Sequence, residues 1–177
     1  MHTATKLEAY RFGFRLFVLT QTVPFILIWA TAYLFNGLYV SPRLNQWTGA
    51  AESLALVVSG LCATRAVAAL RQSDGAGFLA GFKAAMLLGL VNLGLLAYQW
   101  GTRFVPVSSR FGEIYYILTG VSAFYTGIGL AAMLLAFLRA ARTGWGPHSY
   151  WDAEAAMTLW NFQVLMAVIS YLIVYWI

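Results

Sequence analysis

Five stretches of this chain stay apolar for about the length that a bilayer demands. They run from about Phe14 to Leu38, Thr48 to Leu70, Phe78 to Trp100, Glu113 to Leu138 and Asp152 to Ile177. Crossing the hydrocarbon core takes about 20 mostly apolar residues in a helix. Within each stretch the apolar residues are continuous and do not alternate with polar ones, which favours helices over a transmembrane barrel. The chain therefore reads as all-α: one transmembrane domain over residues 1–177, an integral membrane bundle of five transmembrane helices. Pro24 falls inside the first stretch, where it predicts a kink.

Turn chemistry separates the stretches. Ser41-Pro42-Arg43-Leu44-Asn45 follows the first, Gln72-Ser73-Asp74-Gly75-Ala76-Gly77 the second, Arg103 to Arg110 with Pro106 the third, and Thr143-Gly144-Trp145-Gly146-Pro147-His148 the fourth. Gly and Pro supply the dihedrals and stops that such short links need. The links are too short to hold a further domain, and there is no internal repeat. Lys6, Arg11 and Arg15 precede the first stretch like the charged start of a signal peptide. The run is too long for such a peptide's apolar region and no small-residue cleavage site follows, so it is expected to remain as a span.

Composition agrees with a lipid environment. Of 177 residues, 61% are hydrophobic and 10% charged, against about 25% charged in a soluble domain. Seven Trp and ten Tyr suit the membrane–water boundary. The net charge of +5 reads as orientation signal and contact with membrane lipids, not as a nucleic-acid stripe. Lys6, Arg11, Arg15, Arg65, Arg71, Lys83, Arg139 and Arg142 fall on the N-terminal side of the spans, and Arg43, Arg103 and Arg110 on the other. This asymmetry predicts a cytoplasmic N-terminus and, with five spans, a C-terminus outside.

The chain offers little for catalysis. Its two histidines, His2 and His148, lie outside the predicted spans, and Cys62 stands alone, so no haem, copper or cysteine-based metal site is expected. No nucleotide loop or His–carboxylate cluster occurs. The polar residues within spans are Thr20-Gln21-Thr22, Glu52, Arg65, Asn92, Gln99, Ser122, Glu154, Asn161 and Gln163. Amides at such positions serve either function or hydrogen bonding between helices. Glu52 and Glu113 fall near outer helix ends and read as wet. Glu154, with Asp152, falls at an inner helix start, where the dipole favours a carboxylate. Arg65 is within snorkelling reach of lipid phosphate, which guanidinium matches bidentately. Thr119, Gly120, Gly127 and Gly129 of the fourth span mark a helix-packing face, and Gly81, Ala84, Ala85, Gly89 and Gly94 a second seam, unless these glycines reflect only the composition of membrane helices.

The fourth span reads Tyr115-Tyr116-Ile117-Leu118-Thr119-Gly120-Val121-Ser122-Ala123-Phe124-Tyr125-Thr126-Gly127-Ile128-Gly129. It resembles a segment of subunit III of the haem–copper oxidases, in which an aromatic run leads to Thr-Gly, two histidines three apart, and a glycine. Ser122 and Tyr125 stand where those histidines would be. Glu154-Ala155-Ala156 and Trp160-Asn161-Phe162 are similar to the family's Glu-Ala-Ala and Trp-His-Phe, with Asn161 replacing the histidine and Val164 an aspartate. Leu16-Phe17-Val18-Leu19-Thr20-Gln21 resembles a segment ending Ser-Glu, with Gln21 replacing the glutamate. Leu44-Asn45 and Ser59-Gly60 fit the second span, where Val67 and Ala68 fall near a usual histidine pair. The resemblance covers the five spans in order, and the length resembles the short five-helix members, including relatives associated with nitric oxide reductases.

The resemblance implies a non-catalytic, lipid-holding subunit with no intrinsic cofactor, packed against a larger catalytic membrane subunit in a bacterial inner membrane. It implies that Gln21, Arg65, Glu154 and Trp160 line a phospholipid cleft or its inner seam. The systematic loss of imidazoles and buried acids leaves a second reading open: a subunit III-like accessory chain repurposed in a different membrane complex. A third, an independent carrier or membrane enzyme, would need convergent ionisable groups at mid-membrane.

Overall fold

A computed structural model describes the backbone of residues 2–143 and 147–176 and the side chains of residues 8–142 and 150–176. The link at 144–146 and the side chains of His2 and His148 lie outside the described residues. The described chain forms six helices: α1 (His2–Thr20), α2 (Thr22–Asn36), α3 (Gln46–Arg71), α4 (Gly75–Thr102), α5 (Arg110–Thr143) and α6 (Pro147–Tyr175). No strand occurs among the described residues. Five spans are long and apolar enough to cross a membrane: Glu8–Asn36, Gln46–Arg71, Gly75–Thr102, Arg110–Arg142 and Tyr150–Tyr175.

The helices outrun the apolar stretches. The first helix begins near the chain start, well before the expected Phe14, because nothing before Pro24 breaks it. The fourth span begins three residues before the expected Glu113, and its helix ends five residues beyond Leu138. The last helix begins at Pro147 instead of Asp152, since proline fits the first helical position, where no N–H is required. At about 1.5 Å per residue, the 34-residue α5 exceeds the hydrocarbon thickness of about 30 Å. Caps fix the starts. Asn45 Oδ1 accepts from the backbone N–H groups of Trp47 (3.1 Å) and Thr48 (3.3 Å), and Asp74 Oδ1 accepts from that of Gly77 (2.9 Å).

The kink expected at Pro24 is a break at Gln21, between α1 and α2. Pro24 has no N–H for the Thr20 carbonyl and its ring crowds that oxygen, so the helix is interrupted one turn upstream. The Gln21 N–H turns instead to Val18 O (3.1 Å).

Helices α3 to α6 close a four-helix ring in which α3 meets α4 and α6, and α5 meets α4 and α6. The first span rests on the outside of α5 and α6. One end of the bundle carries the N-terminus and the α3–α4 link; the other carries the links at 37–45 and 103–109 and the C-terminus.

Trp160 is the centre of the ring and is wholly buried. Its indole lies against Gly89 of α4 and Gly129 of α5, where an added Cβ would stand 2.6 Å from the ring in each case. Its Nε1–H donates to Ser59 Oγ of α3 (2.9 Å), and that hydroxyl donates to the Ala85 carbonyl of α4 (2.7 Å). One side chain thus meets all three other ring helices. Gly81 closes the α3–α4 seam against Ala66 and the Cys62 carbonyl.

The small-residue face of α5 divides. Gly129 packs on Trp160, and Thr119 Oγ1 accepts from Trp100 Nε1 (3.1 Å). A Cβ added at Gly120 would reach only the edge of Trp100, at 3.8 Å. One added at Gly127 or Gly94 would meet nothing within 4 Å, so neither glycine marks a close seam within this chain. The reason is helical period: two residues turn the face by about 200°, so Gly127 points away from the helix that Gly129 touches.

Gly89→Ala and Gly129→Ala should each destabilise the bundle by about 1–3 kcal/mol through overpacking. Gly127→Ala should be neutral or stabilising by under about 1 kcal/mol. Reversible unfolding in mixed micelles measures all three.

Candidate functional site

Three polar ties hold the first span to the bundle, one at each depth. Near the N-terminal end, Arg11 Nη2 donates to Glu154 Oε2 (2.8 Å). At the helix break, Tyr125 OH donates to Gln21 Oε1 (3.0 Å). In α2, Trp29 Nε1 donates to Ser170 Oγ (3.0 Å). Break and tie coincide at Gln21, whose backbone carries the interruption and whose side-chain amide is the group that Tyr125 reaches.

Glu154 anchors a cluster at the N-terminal end. It receives Arg11 and also lies 3.7 Å from Arg71 of α3. Arg71 Nε donates to Tyr150 OH, and both guanidiniums lie over the Tyr150 ring at 5.9 Å (Arg11) and 5.2 Å (Arg71). Beside it, Arg139 pairs with Asp152 (3.2 Å) at the rim of a groove of ≈ 260 Å³ between α1, α5 and α6. Its floor is apolar: Phe14, Ala132, Leu135, Ala136, Ala155, Ala156 and Leu159.

A second polar system fills the ring itself. Gln163 of α6 is buried, and its Nε2 donates to Thr126 Oγ1 (3.0 Å), the Ser122 carbonyl (2.9 Å) and Ser122 Oγ (3.2 Å), all on α5. Towards the C-terminal end, Gln99 Nε2 donates to Glu52 Oε1 (2.7 Å), while Gln99 Oε1 accepts from Tyr115 OH (2.6 Å) and Tyr175 OH (2.9 Å). That layer joins α3, α4, α5 and α6. On the outer side, Asn161 Nδ2 donates to Thr64 Oγ1 (2.9 Å).

The four residues expected to line a phospholipid cleft or its inner seam lie in different parts of the bundle. Gln21 lies on the seam between the first span and α5. Glu154 sits at the N-terminal end between Arg11 and Arg71. Trp160 is excluded from any lipid-facing cleft by its complete burial. Arg65 is exposed on α3, and the first span packs on α5 and α6, not on α3. Arg65 makes no ion pair among the described residues. Glu52, read as a wet helix end, is instead half-buried and held by Gln99. Its position near the start of α3 gives no hint of this, because Gln99 reaches it from α4 and is itself held by Tyr115 and Tyr175 from two more helices. Arg11 and Arg71 stand out in the sequence only as orientation charges, Ser59 only as part of a motif, and Tyr150 not at all. Arginines at helix ends look like any orientation charge, and a serine in an apolar span carries no signal until its partner is known.

No family model matches the chain. It is 24% identical to cytochrome c oxidase subunit 3 of Synechocystis sp., over 93% of this chain and 74% of the relative. It is also 24% identical to cytochrome c oxidase subunit 3 of Drosophila yakuba, over 99% of this chain and 72% of the relative. The mosquito Anopheles quadrimaculatus has a cytochrome c oxidase subunit 3 that is 27% identical over 68% of this chain and 47% of its own length.

The chain is a divergent subunit III-like membrane protein. In this subunit III-like chain the replaced positions are hydrogen-bonded, two of them to one another. The motif resemblance puts a glutamate at position 21 and a histidine at 125, and here Gln21 and Tyr125 form a neutral hydrogen-bonded pair. It puts histidines at 122 and 161, and here Ser122 receives Gln163 while Asn161 donates to Thr64. An acid or an imidazole at these sites could carry a proton; an amide–hydroxyl pair serves only as a hydrogen bond.

A double-mutant cycle between Gln21→Ala and Tyr125→Phe should return a coupling of about 0.6 kcal/mol, typical of a hydrogen bond between membrane helices. Unfolding in bicelles measures it, and zero coupling would show the pair to be incidental.

Proposed function

We propose that this chain is a non-catalytic accessory subunit of a respiratory haem–copper oxidase or nitric oxide reductase in a bacterial inner membrane, with its N-terminus in the cytoplasm and its C-terminus outside. The observation that carries this reading is the likeness to proteins named cytochrome c oxidase subunit 3 along nearly the whole chain. The chemistry of the interior supports it. Deep in the bundle the spans meet largely through amides, hydroxyls and the indoles of Trp29, Trp100 and Trp160. The excess of Lys and Arg at the N-terminal end supports the orientation.

In this role the protein takes no cofactor of its own. It packs against the larger catalytic membrane subunit and holds phospholipid. Two features support the lipid. The apolar groove beside Phe14 has room for part of an acyl chain. Arg65 is six residues from the end of α3, about 9 Å, close enough to reach the headgroup level.

Purification of the native complex in mild detergent, with mass spectrometry and an optical spectrum, tests the assignment. A haem-bearing partner should co-purify, and the isolated chain should show no haem absorbance. A partner without haem or copper would place the chain in a different membrane complex. Activity of the isolated chain in liposomes would overturn the accessory role. Arg65→Ala should lower the phospholipid retained per complex, read by lipid mass spectrometry, without loss of the partner.

A further inference from the structure

The interior cavity of the ring is the feature that an accessory packing role leaves unused. It has a volume of ≈ 50 Å³, room for several waters, since one needs roughly 10–15 Å³. Its polar lining comes from all four ring helices: Glu52 and Ser53 of α3, Asn92 of α4, Thr119 of α5, and Ser170 and Tyr171 of α6. Polar groups converging on a space of this size can be bridged by water in addition to their protein partners.

Two further observations point to water. Gln163 Oε1 is buried and has no hydrogen-bond partner. Its amide nitrogen is held on Ser122, which lines the cavity. A smaller cavity of ≈ 10 Å³, lined by Arg43, Asn45, Gln99 and Tyr115 among others, lies on the far side of Gln99, against the links at the C-terminal end. The hydrogen-bonded layer of Gln99, Tyr115 and Tyr175 separates the two spaces. Towards the N-terminal end the polar path stops at Trp160, Phe82 and Met133, all fully buried. The polar interior is thus bounded at one end by the tryptophan layer and at the other by hydroxyls that can turn.

Glu52 is its one ionisable carboxyl. Gln99 holds Oε1, and no guanidinium or ammonium lies within ion-pair distance of Glu52 among the described residues. The groups facing it are neutral on every side: Asn92 and Gln99 from α4, Thr119 and Ser122 from α5, Tyr171 and Tyr175 from α6. An ionisable group in a span without a counter-ion marks an ion or proton pathway by default.

We propose that this cavity is a hydrated proton-exchange site, in which Glu52 trades a proton with water entering from the C-terminal end. The free carboxylate oxygen, Oε2, accepts a proton from a hydronium ion. One O–H bond forms, one breaks, and a neutral water remains; release reverses the step. The exchange draws on no redox centre and is confined to one side of the membrane by the Trp160 layer.

Infrared difference spectroscopy of the full chain in phospholipid nanodiscs, with pH jumps in H2O and D2O, tests this. A carbonyl band of a protonated carboxylic acid should grow as pH falls, shift promptly in D2O, vanish in Glu52→Gln and persist in Glu113→Gln. The glutamine keeps an oxygen for Gln99, so the bundle should survive. Ser53→Leu, which fills the cavity and leaves Glu52 in place, should slow the D2O shift at least tenfold. A band that ignores Glu52→Gln, that fails to shift in D2O, or that shifts as fast in Ser53→Leu as in the wild type would overturn the proposal.

Discussion

The bundle depends on one fit: an indole held between two glycines. Lipid is as apolar as leucine, so membrane helices gain little by hiding apolar surface from it and associate through close packing and hydrogen bonds instead. At Trp160 both forces act through one residue. Gly89 and Gly129 let α4 and α5 approach the two sides of the ring, and Ser59 fixes its N–H. The ring of α3 to α6 is closed around this point. The cavity beyond it has a floor only because the tryptophan layer is complete.

Charge and neutrality are sorted by depth. The ion pairs involve Arg11, Arg71 and Arg139 with Glu154 and Asp152, all at the N-terminal end. Deeper in the spans, amides face hydroxyls: Gln21 with Tyr125, Gln163 with Ser122 and Thr126, and Asn161 with Thr64. Such pairs satisfy polar groups without moving charge out of water, which a buried ion pair must do at considerable cost. Glu52 is the exception, and the chain surrounds it with neutral hydrogen-bonding groups. Of the positions where the family resemblance calls for imidazoles and acids, Gln21 and Tyr125 are partners for one another, while Ser122 and Asn161 are bonded by Gln163 and Thr64.

The architecture was largely legible in the sequence, because crossing a bilayer imposes a length and an apolar continuity that few other structures share. Five spans emerged, the first starting well before Phe14, and Pro24 announced the break that Gln21 carries out. The site was legible only in part. Gln21 and Ser122 could be picked out as polar in apolar surroundings, but which groups meet across the bundle depends on helix rotation, which apolar runs do not encode. That is why Gly127 and Gly129, two residues apart, have opposite fates, and why Trp160 proved to be a core residue. Glu52 was misread because proximity to a helix end says nothing about neighbours from other helices.

The three ties of the first span also fix an order of assembly. Arg11 waits for Glu154, Gln21 for Tyr125 and Trp29 for Ser170, partners 143, 104 and 141 residues further on. Synthesis proceeds from the N-terminus, so the first span enters the bilayer while its partners do not yet exist. It can dock only when α5 and α6 have been made and the ring they complete is in place. The span that is made first is therefore the last to find its seat, and until then its amide and indole face lipid alone.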